Sequence, residues 1–545
     1  MKQLTVDRDY VIFLPLKRSS GQGIPVKHKK LLFLVIFFIV SGLWAGKNQA
    51  DSQNQEEAKP KPKVGRAFIE MGLNLTISAI NYWLKYDMFP EDWQFELNWK
   101  DQKRKFFTSE GLRLDSNNMR LNWTHAWSGA LYYSWARSNR LSPFVSFLFS
   151  SGGSLIWEYV AEWREISSIN DHVFTWFGGP AIGEPLFQIA DHFRSRPGLA
   201  NRIACFINPV LAINDLLDGK NRIPRLPTQD WSDFRFSLGA KHGPVSPADN
   251  ASGHAALDLD LRLITLPGYG RPGSGSGYSR QPLANEFRTS LSFNERLFEE
   301  FSVHSRSVLG GWWWKNVRTD ESGALHGSES WLGPVMAWDF FQKKPIVPYD
   351  GKELGMTDPW FVREQPTHYT DKYSSMHIIG PAFNLTKYSG RLTAHLDLEA
   401  TVDFSMINSL AYNDYSATHD VWGVKTTLHN WGYYYSLGYS LGGRLDLRHG
   451  ALRAEAGFYY QRFASIQGHD RFQNQVTEDF PYHVTDDSRL ADSRLVYNAG
   501  LSAAIPCTTL FLSLNLEGID RWGRFHEVSV KNHELRFFYR LGVSF

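Results

Sequence analysis

Two hydrophobic periods divide this chain. From about residue 64 to residue 218 the apolar residues recur at helical spacing, and from about residue 231 to the end they recur at every second position. In the first region the spacing predicts helices at 66–86, 123–139, 179–194 and 199–217, and another opening at Ser142-Pro143, with Ser as N-cap and Pro at the first helical position. That last helix runs through Trp163 and is apolar almost all round until Glu158, the pattern of a helix buried in protein or in lipid. Trp93, Phe95, Leu97 and Trp99 alternate with polar neighbours and suit a strand.

In the second region, Phe234, Phe236, Leu238 and Ala240 form one alternating set and Leu257, Leu259 and Leu261 another. Leu396, Leu398, Ala400, Val402, Phe404 and Met406 alternate with His395, Asp397, Glu399, Thr401, Asp403 and Ser405, long enough to cross a bilayer when tilted. Similar runs occupy 432–447, 451–463, 493–505 and 508–519. Tight turns at Tyr388-Ser389-Gly390-Arg391 and His449-Gly450-Ala451 alternate with long polar connections at 343–374 and 465–490, which predicts short turns on one rim of a barrel and long loops on the other. The last strand ends on Leu535, Phe537, Tyr539, Leu541, Val543 and Phe545 on one face, and this terminal-Phe strand resembles the signature of bacterial outer-membrane barrels. The fold expected is α+β: a helical domain (64–218) followed by an antiparallel transmembrane β-barrel (231–545) of about twelve strands, with ten to fourteen admissible. A soluble antiparallel sandwich is the competing reading.

Composition fits the barrel. Aromatic residues reach 15% of the 545, while charged residues make up 21% and the mean hydropathy is only −0.34. Strands that alternate lipid-facing and lumen-facing side chains produce this combination without any long apolar run. Lys+Arg 58 against Asp+Glu 56 leaves a net charge of +2, which argues against a nucleic-acid partner. Two cysteines, Cys205 and Cys507, exclude a disulfide scaffold, though one pair could form in an oxidising compartment. Lys27, Lys29 and Lys30 precede the apolar run Leu31 to Val40 and then small residues through Gly46, the order of a signal peptide (1–46) with a long n-region; an uncleaved anchor is the alternative. Residues 47–63 lack Phe, Trp, Leu and Ile and read as a linker.

The unusual chemistry lies between Asn122 and Arg194. His125, Gly129 and Tyr132 share a helix face, Glu158 and Glu162 stand four residues apart, and Asn170-Asp171-His172 follows; Glu184, Gln188 and Asp191 share another face. Carboxylates on apolar helices are costly unless paired or bound to something. In one reading they meet Arg137, Arg164 or Arg194 in a polar network that includes Tyr132, Asn170, Glu184, Gln188 and Asp191. In a second, His125, Glu158, Glu162 and Asp171 form a general acid/base site whose burial raises carboxylate pKa values. A metal site of His plus carboxylates is the third; no HExxH spacing is present, and no cofactor motif appears. Gly178-Gly179-Pro180-Ala181-Ile182-Gly183 lacks the order of a dinucleotide loop, and its small residues suit close helix approach. Gly268 to Gly277 reads as a barrel loop, Trp312-Trp313-Trp314 as part of an interfacial girdle, and Asp397, Glu399 and Asp403 as lumen-lining groups.

The strings NWTHAWSGALYYSWARSNRLS and SLIWEYVAEWREISSINDHVFTWFGGPAIGEPLFQIADHFR resemble the bacterial domain-of-unknown-function family 3943 over roughly residues 110–215. Ala126 stands where that family has Pro after the His. The resemblance implies a Gram-negative envelope protein with a helical domain preceding a barrel, and no established activity. The functional expectation is an outer-membrane protein whose helical domain, periplasmic or within the lumen, plugs, gates or scaffolds the barrel or engages envelope lipid. The alternatives are an envelope enzyme acting on a lipid or other amphiphile, and a porin-like channel. Expected partners are outer-membrane lipids, the barrel-assembly machinery, and an envelope lipid or small-molecule ligand.

Overall fold

A computed structural model describes residues 61–86, 99–108, 111–114, 121–163, 166–194, 198–219, 231–243, 252–293, 300–343, 371–416, 418, 433–466 and 489–545. The expected leader, most of the linker, Trp93 to Leu97 and Arg164 lie outside these residues. The described residues from 61 to 214 and from 231 to 545 form one compact unit.

The helical region comprises α1 (Val64–Tyr86), α2 (Trp99–Phe107), α3 (Trp123–Ser138), α4 (Pro143–Ile156), α5 (Ile169–Gly178), α6 (Glu184–Arg194), α7 (Leu199–Ile207) and α8 (Pro209–Leu217). Trp99 opens a helix, α2, and α5 is a helix that its polar Asn-Asp-His start concealed. The α4 N-cap is as the sequence predicts: Ser142 Oγ accepts from the Val145 N–H at 3.3 Å. Two π-turns extend helices. Trp157–Ala161 continues α4, with the Glu162 N–H donating five residues back to Trp157 O, and Gly179–Gly183 links α5 to α6. A two-residue parallel bridge joins β1 (Leu112–Arg113) to β2 (Ser167–Ser168). Glycines set the helix spacing: a Cβ on Gly129 would strike the Thr175 carbonyl of α5, and one on Gly178 the Ala126 carbonyl of α3.

The barrel strands are β3 (Trp231–Gly243), β4 (Ser252–Ile264), β5 (Gly273–Ser279), β6 (Ala284–Phe293), β7 (Glu300–Val308), β8 (Gly311–Thr319), β9 (Leu325–Lys343), β10 (Lys372–Gly390), β11 (Leu392–Asn408), β12 (Tyr433–His449), β13 (Leu452–Ser465), β14 (Leu490–Ala504), β15 (Leu510–Phe525) and β16 (Val528–Ser544). A short helix, α9 (Leu410–Ser416), follows β11. Twelve of these strands close an antiparallel ring in the order β3, β4, β6, β7, β9 to β16, and β16 pairs back onto β3. The remaining two, β5 and β8, prolong the lines of β6 and β7 beyond the short-turn rim, pairing with each other and with the first half of β9. The Gly-rich run expected as a loop therefore supplies a strand, because β8 offers it a partner and Trp313 lies over Gly275 and Gly277. Gly390 (φ 64°) and Gly450 (φ 60°) take the left-handed conformation at the two predicted tight turns.

The two faces of the wall are chemically opposite. Leu398, Val402, Leu437, Tyr439, Leu512, Leu514, Phe537, Tyr539 and Leu541 are exposed on the outer face, as lipid-facing positions require. The inner face is charged, and its side chains meet across the lumen between strands that are not neighbours. Arg448 on β12 donates to Asp233 on β3 at 2.6 Å, Arg453 on β13 reaches the same carboxylate at 2.9 Å, and Arg444 on β12 reaches Asp260 on β4 and Glu286 on β6 at 3.3 Å. Further along, Arg306 on β7 meets Glu399 on β11 (3.1 Å), and Lys343 on β9 meets Glu534 on β16 (2.6 Å). Buried charges are tolerated because each finds opposite charge, and the result is an interior cross-braced by ion pairs. Asp397 and Asp403 also face this interior, accepting from Asn384 Nδ2 (2.9 Å) and bonding His377 Nδ1 (2.7 Å).

The helices pack on the outer face of this wall. Trp123 of α3 sits 4.8 Å from Phe340 and 5.1 Å from Trp338, centroid to centroid, Phe174 of α5 meets Phe404, and Ser305 Oγ on β7 donates to Ala181 O (2.8 Å). At the other rim Phe193 of α6 stacks on Phe234 and touches Phe545, whose backbone N–H donates to Phe234 O. All these barrel residues belong to the outward set: Phe404 shares its face with exposed Val402, while its neighbour Asp403 points inward. The sequence left the helical domain as a plug, gate, scaffold or lipid-binding unit, periplasmic or within the lumen; the contacts above join the described helices to barrel residues of the outward-facing set. Van der Waals packing of these aromatics and the Ser305 hydrogen bond join them to the wall.

Candidate functional site

Within the helical domain the polar residues sort into two clusters. The first is built on Glu184, fully buried at the start of α6. Its Oε2 accepts from Tyr133 OH (2.6 Å) and Arg137 Nε (2.7 Å), and its Oε1 from Arg137 Nη2 (2.9 Å) and Gln188 Nε2 (2.6 Å). Burial pushes the Glu184 carboxyl up, but Arg137 and these donors outweigh it and hold it below its usual range. Both oxygens are satisfied, so this cluster fixes α3 against α6. Tyr133 is its tyrosine; Tyr132 instead faces Gly153 on α4. Asp191 pairs with Arg194 at 3.2 Å.

The second cluster gathers His125 of α3, Glu158 of the first π-turn and Asp171 of α5, with one nitrogen or oxygen from each within 4.8 Å of the others. Glu158 and Asp171 are buried, and His125 is about one-fifth exposed, which makes it the accessible side of the group. His125 Nε2 stands 3.4 Å from Asp171 Oδ1, which also accepts from Asn122 Nδ2 (2.5 Å) and Asn170 Nδ2 (2.9 Å). The Ser168 N–H donates to Glu158 Oε2 (2.9 Å), and Lys105 Nζ to the carbonyls of Glu158 and Glu162. Behind them His172 is bonded on both nitrogens, to Ser154 Oγ (2.9 Å) and Ser167 Oγ (3.0 Å). Burial, with the positive fields of His125 and Lys105, lowers His172 from 6.5 to about 4, so this imidazole is neutral at pH 7.

Of the four residues expected in an acid/base site, three meet. Glu162 turns away and accepts from Trp157 Nε1 at 2.8 Å. Lys105 was missed from the sequence, and Asn122 and His172 were noted there without a role. Asn122 carried a faint signal, since Asn tolerates the left-handed conformation it adopts here (φ 57°) just before α3. Cys205 and Cys507 are both free and exposed.

The fold and site together define a transmembrane β-barrel flanked by a helical domain with a His–carboxylate cluster. Residues 111–210, which hold both clusters, match the family model described as Domain of unknown function (DUF3943). No curated protein matches the chain. Among solved structures it is similar to a mutant of the monoaromatic hydrocarbon channel TodX (8% identity, 57% of this chain and 90% of that one, TM-score 0.21). It is also similar to the translocator domain of autotransporter NalP from Neisseria meningitidis (8%, 63% and 98%, TM-score 0.17) and to an anion-selective porin from Comamonas acidovorans (10%, 58% and 99%, TM-score 0.16). Scores this low carry no argument; the barrel rests on its own strand register.

Proposed function

We propose that this is a Gram-negative outer-membrane protein, exported through the leader ending near Gly46, whose barrel holds a lateral helical domain in the lipid. The domain engages an envelope lipid at the His125 cluster. The observation that carries this reading is the large apolar surface that two helices leave exposed. On α1, Phe68, Ile69, Leu73, Ile77, Ile80 and Leu84 are exposed, while Ala67, Met71, Leu75 and Ala79 are buried together with Glu70. On α4, Phe144 and Leu148 are exposed, while Ser146, Ser150, Gly153 and Ser154 face inward beside Phe149. Helices that are apolar outside as well as inside suit a lipid environment. Among the described residues no helix is long and apolar enough to cross a bilayer, so the helices lie beside the barrel while strands do the crossing. The cross-braced lumen speaks against the porin-like alternative.

A second reading, an enzyme acting on that lipid, is favoured by strain: Leu121 (φ 49°) and Asn122 (φ 57°) are consecutive left-handed non-glycine residues beside the cluster, and such strain gathers at working sites. Mass spectrometry of lipid co-purifying with wild type and with His125→Ala tests both. Loss of one lipid class from the variant, with an unchanged heat-dependent gel shift, is the expected result. Accumulation of a precursor lipid in variant cells favours the enzyme, and identical lipid in both proteins removes the lipid reading.

A further inference from the structure

We infer that His125, Glu158 and Asp171 form a binding site for a first-row divalent metal ion. The inference goes beyond the lipid reading and does not depend on it. Three side chains of ligand type converge from three elements, which separates them from carboxylates scattered along one helix face. The edge of a tetrahedral site with bonds of about 2.0–2.2 Å is about 3.3–3.6 Å long, and His125 Nε2 to Asp171 Oδ1 is 3.4 Å. One ligand atom from each of the three residues lies within 4.8 Å of the others, so the side chains need only draw together to complete the triangle.

The surroundings are those of an outer shell. Metal-binding carboxylates are held in place by further hydrogen bonds, and here the Asn122 and Asn170 amides both donate to Asp171 Oδ1 while the Ser168 N–H donates to Glu158 Oε2. Asn170 Nδ2 also reaches Asn122 Oδ1 at 3.2 Å, tying the two amides together. The fold accepts a left-handed backbone at Asn122 to put that amide in place. The π-turn does the same for Glu158, because its extra residue turns this carboxylate toward α5 and sends Glu162 elsewhere. One imidazole and two carboxylates select zinc, manganese or iron over calcium, which prefers all-oxygen ligands, and over copper(I), which prefers sulfur. Three protein ligands leave open coordination positions, on the side where His125 reaches the surface.

The test uses full-length protein in detergent, stripped with a chelator and then titrated with Zn²⁺ or Co²⁺. Elemental analysis and the visible absorption of bound Co²⁺ are the readouts. Wild type is expected to take up a single equivalent and to show a Co²⁺ spectrum with nitrogen and oxygen ligands. Asp171→Asn and Glu158→Gln, which keep side-chain shape, should each weaken binding at least about tenfold, whereas Glu162→Gln should bind as wild type does. The heat-dependent gel shift reports folding in every sample, and His125→Gln, at the partly exposed ligand, serves if a buried variant fails to fold. Wild type that retains no ion, or ligand variants that bind as tightly as wild type, would overturn the inference. Lipid is measured on the same samples: lipid retained without metal overturns the metal site alone, and metal bound without lipid overturns the lipid reading alone.

Discussion

Arg137→Ala is expected to destabilise the helical domain by about 3–5 kcal/mol, because it strands the Glu184 carboxylate in a fully buried position. The guanidinium also donates to Leu141 O at 2.7 Å and lies over the Phe187 ring, so truncation removes a cap and a packing surface too. Replacing Arg137 with Met in a Glu184→Gln background should recover much of the loss, since no charge is then left alone. Near-UV circular dichroism during thermal unfolding, read against the gel shift of the barrel, separates the two parts. The same pair predicts acid sensitivity. Glu184 has a folded pKa below its ordinary value of 4.5. Its contribution is therefore complete above that pH and is lost as pH falls through the folded value. Domain melting should hold down to about pH 4.5 and drop below it, and Glu184→Gln should flatten that drop while lowering stability at neutral pH.

Conductance should change most when the lumen braces are cut. Wild type in planar bilayers is expected to conduct little, whereas Arg262→Ala with Arg453→Ala should raise single-channel conductance severalfold. These two arginines neutralise Asp233 (2.8 and 2.9 Å) and Asp446 (3.6 and 2.6 Å). Without them Arg448 alone faces the two carboxylates, which then draw water into the lumen. A plug would behave differently: its removal, and no change to the wall, would open the pore. Equal conductance in wild type and the double variant would show that the braces do not set the bore.

Why the sequence yielded the barrel and left the docking face of the helices open follows from what periodicity encodes. A strand with lipid on one side and charged neighbours on the other must alternate, so β11 could be read over its whole length. A helix stripe says which residues are buried and not what buries them. Phe404 and Trp338 are apolar whether they face lipid or α3 and α5, so nothing in their identity marks the docking face. Likewise α2 (WKDQKRKFF) is too polar to show an apolar stripe, and the glycines of β5 are poor strand formers that only a partner strand can order. In the site, His125, Glu158 and Asp171 were legible as charges on apolar helices. The exclusion of Glu162 was not, because four-residue spacing puts both glutamates on one face of an α-helix, and the π-turn breaks that rule.

By these contacts the described helices ride on the outer wall of a barrel cross-braced by its own side chains. Photo-crosslinking from a benzophenone side chain tests it most directly, placed in turn at Phe404 on the outer face and at Gln461 on the inner face of β13. A crosslink is expected from position 404 to the α5 peptide around Phe174, and none from position 461 to the helices. A helical-domain crosslink from position 461, with none from 404, would put the helices in the lumen and contradict it.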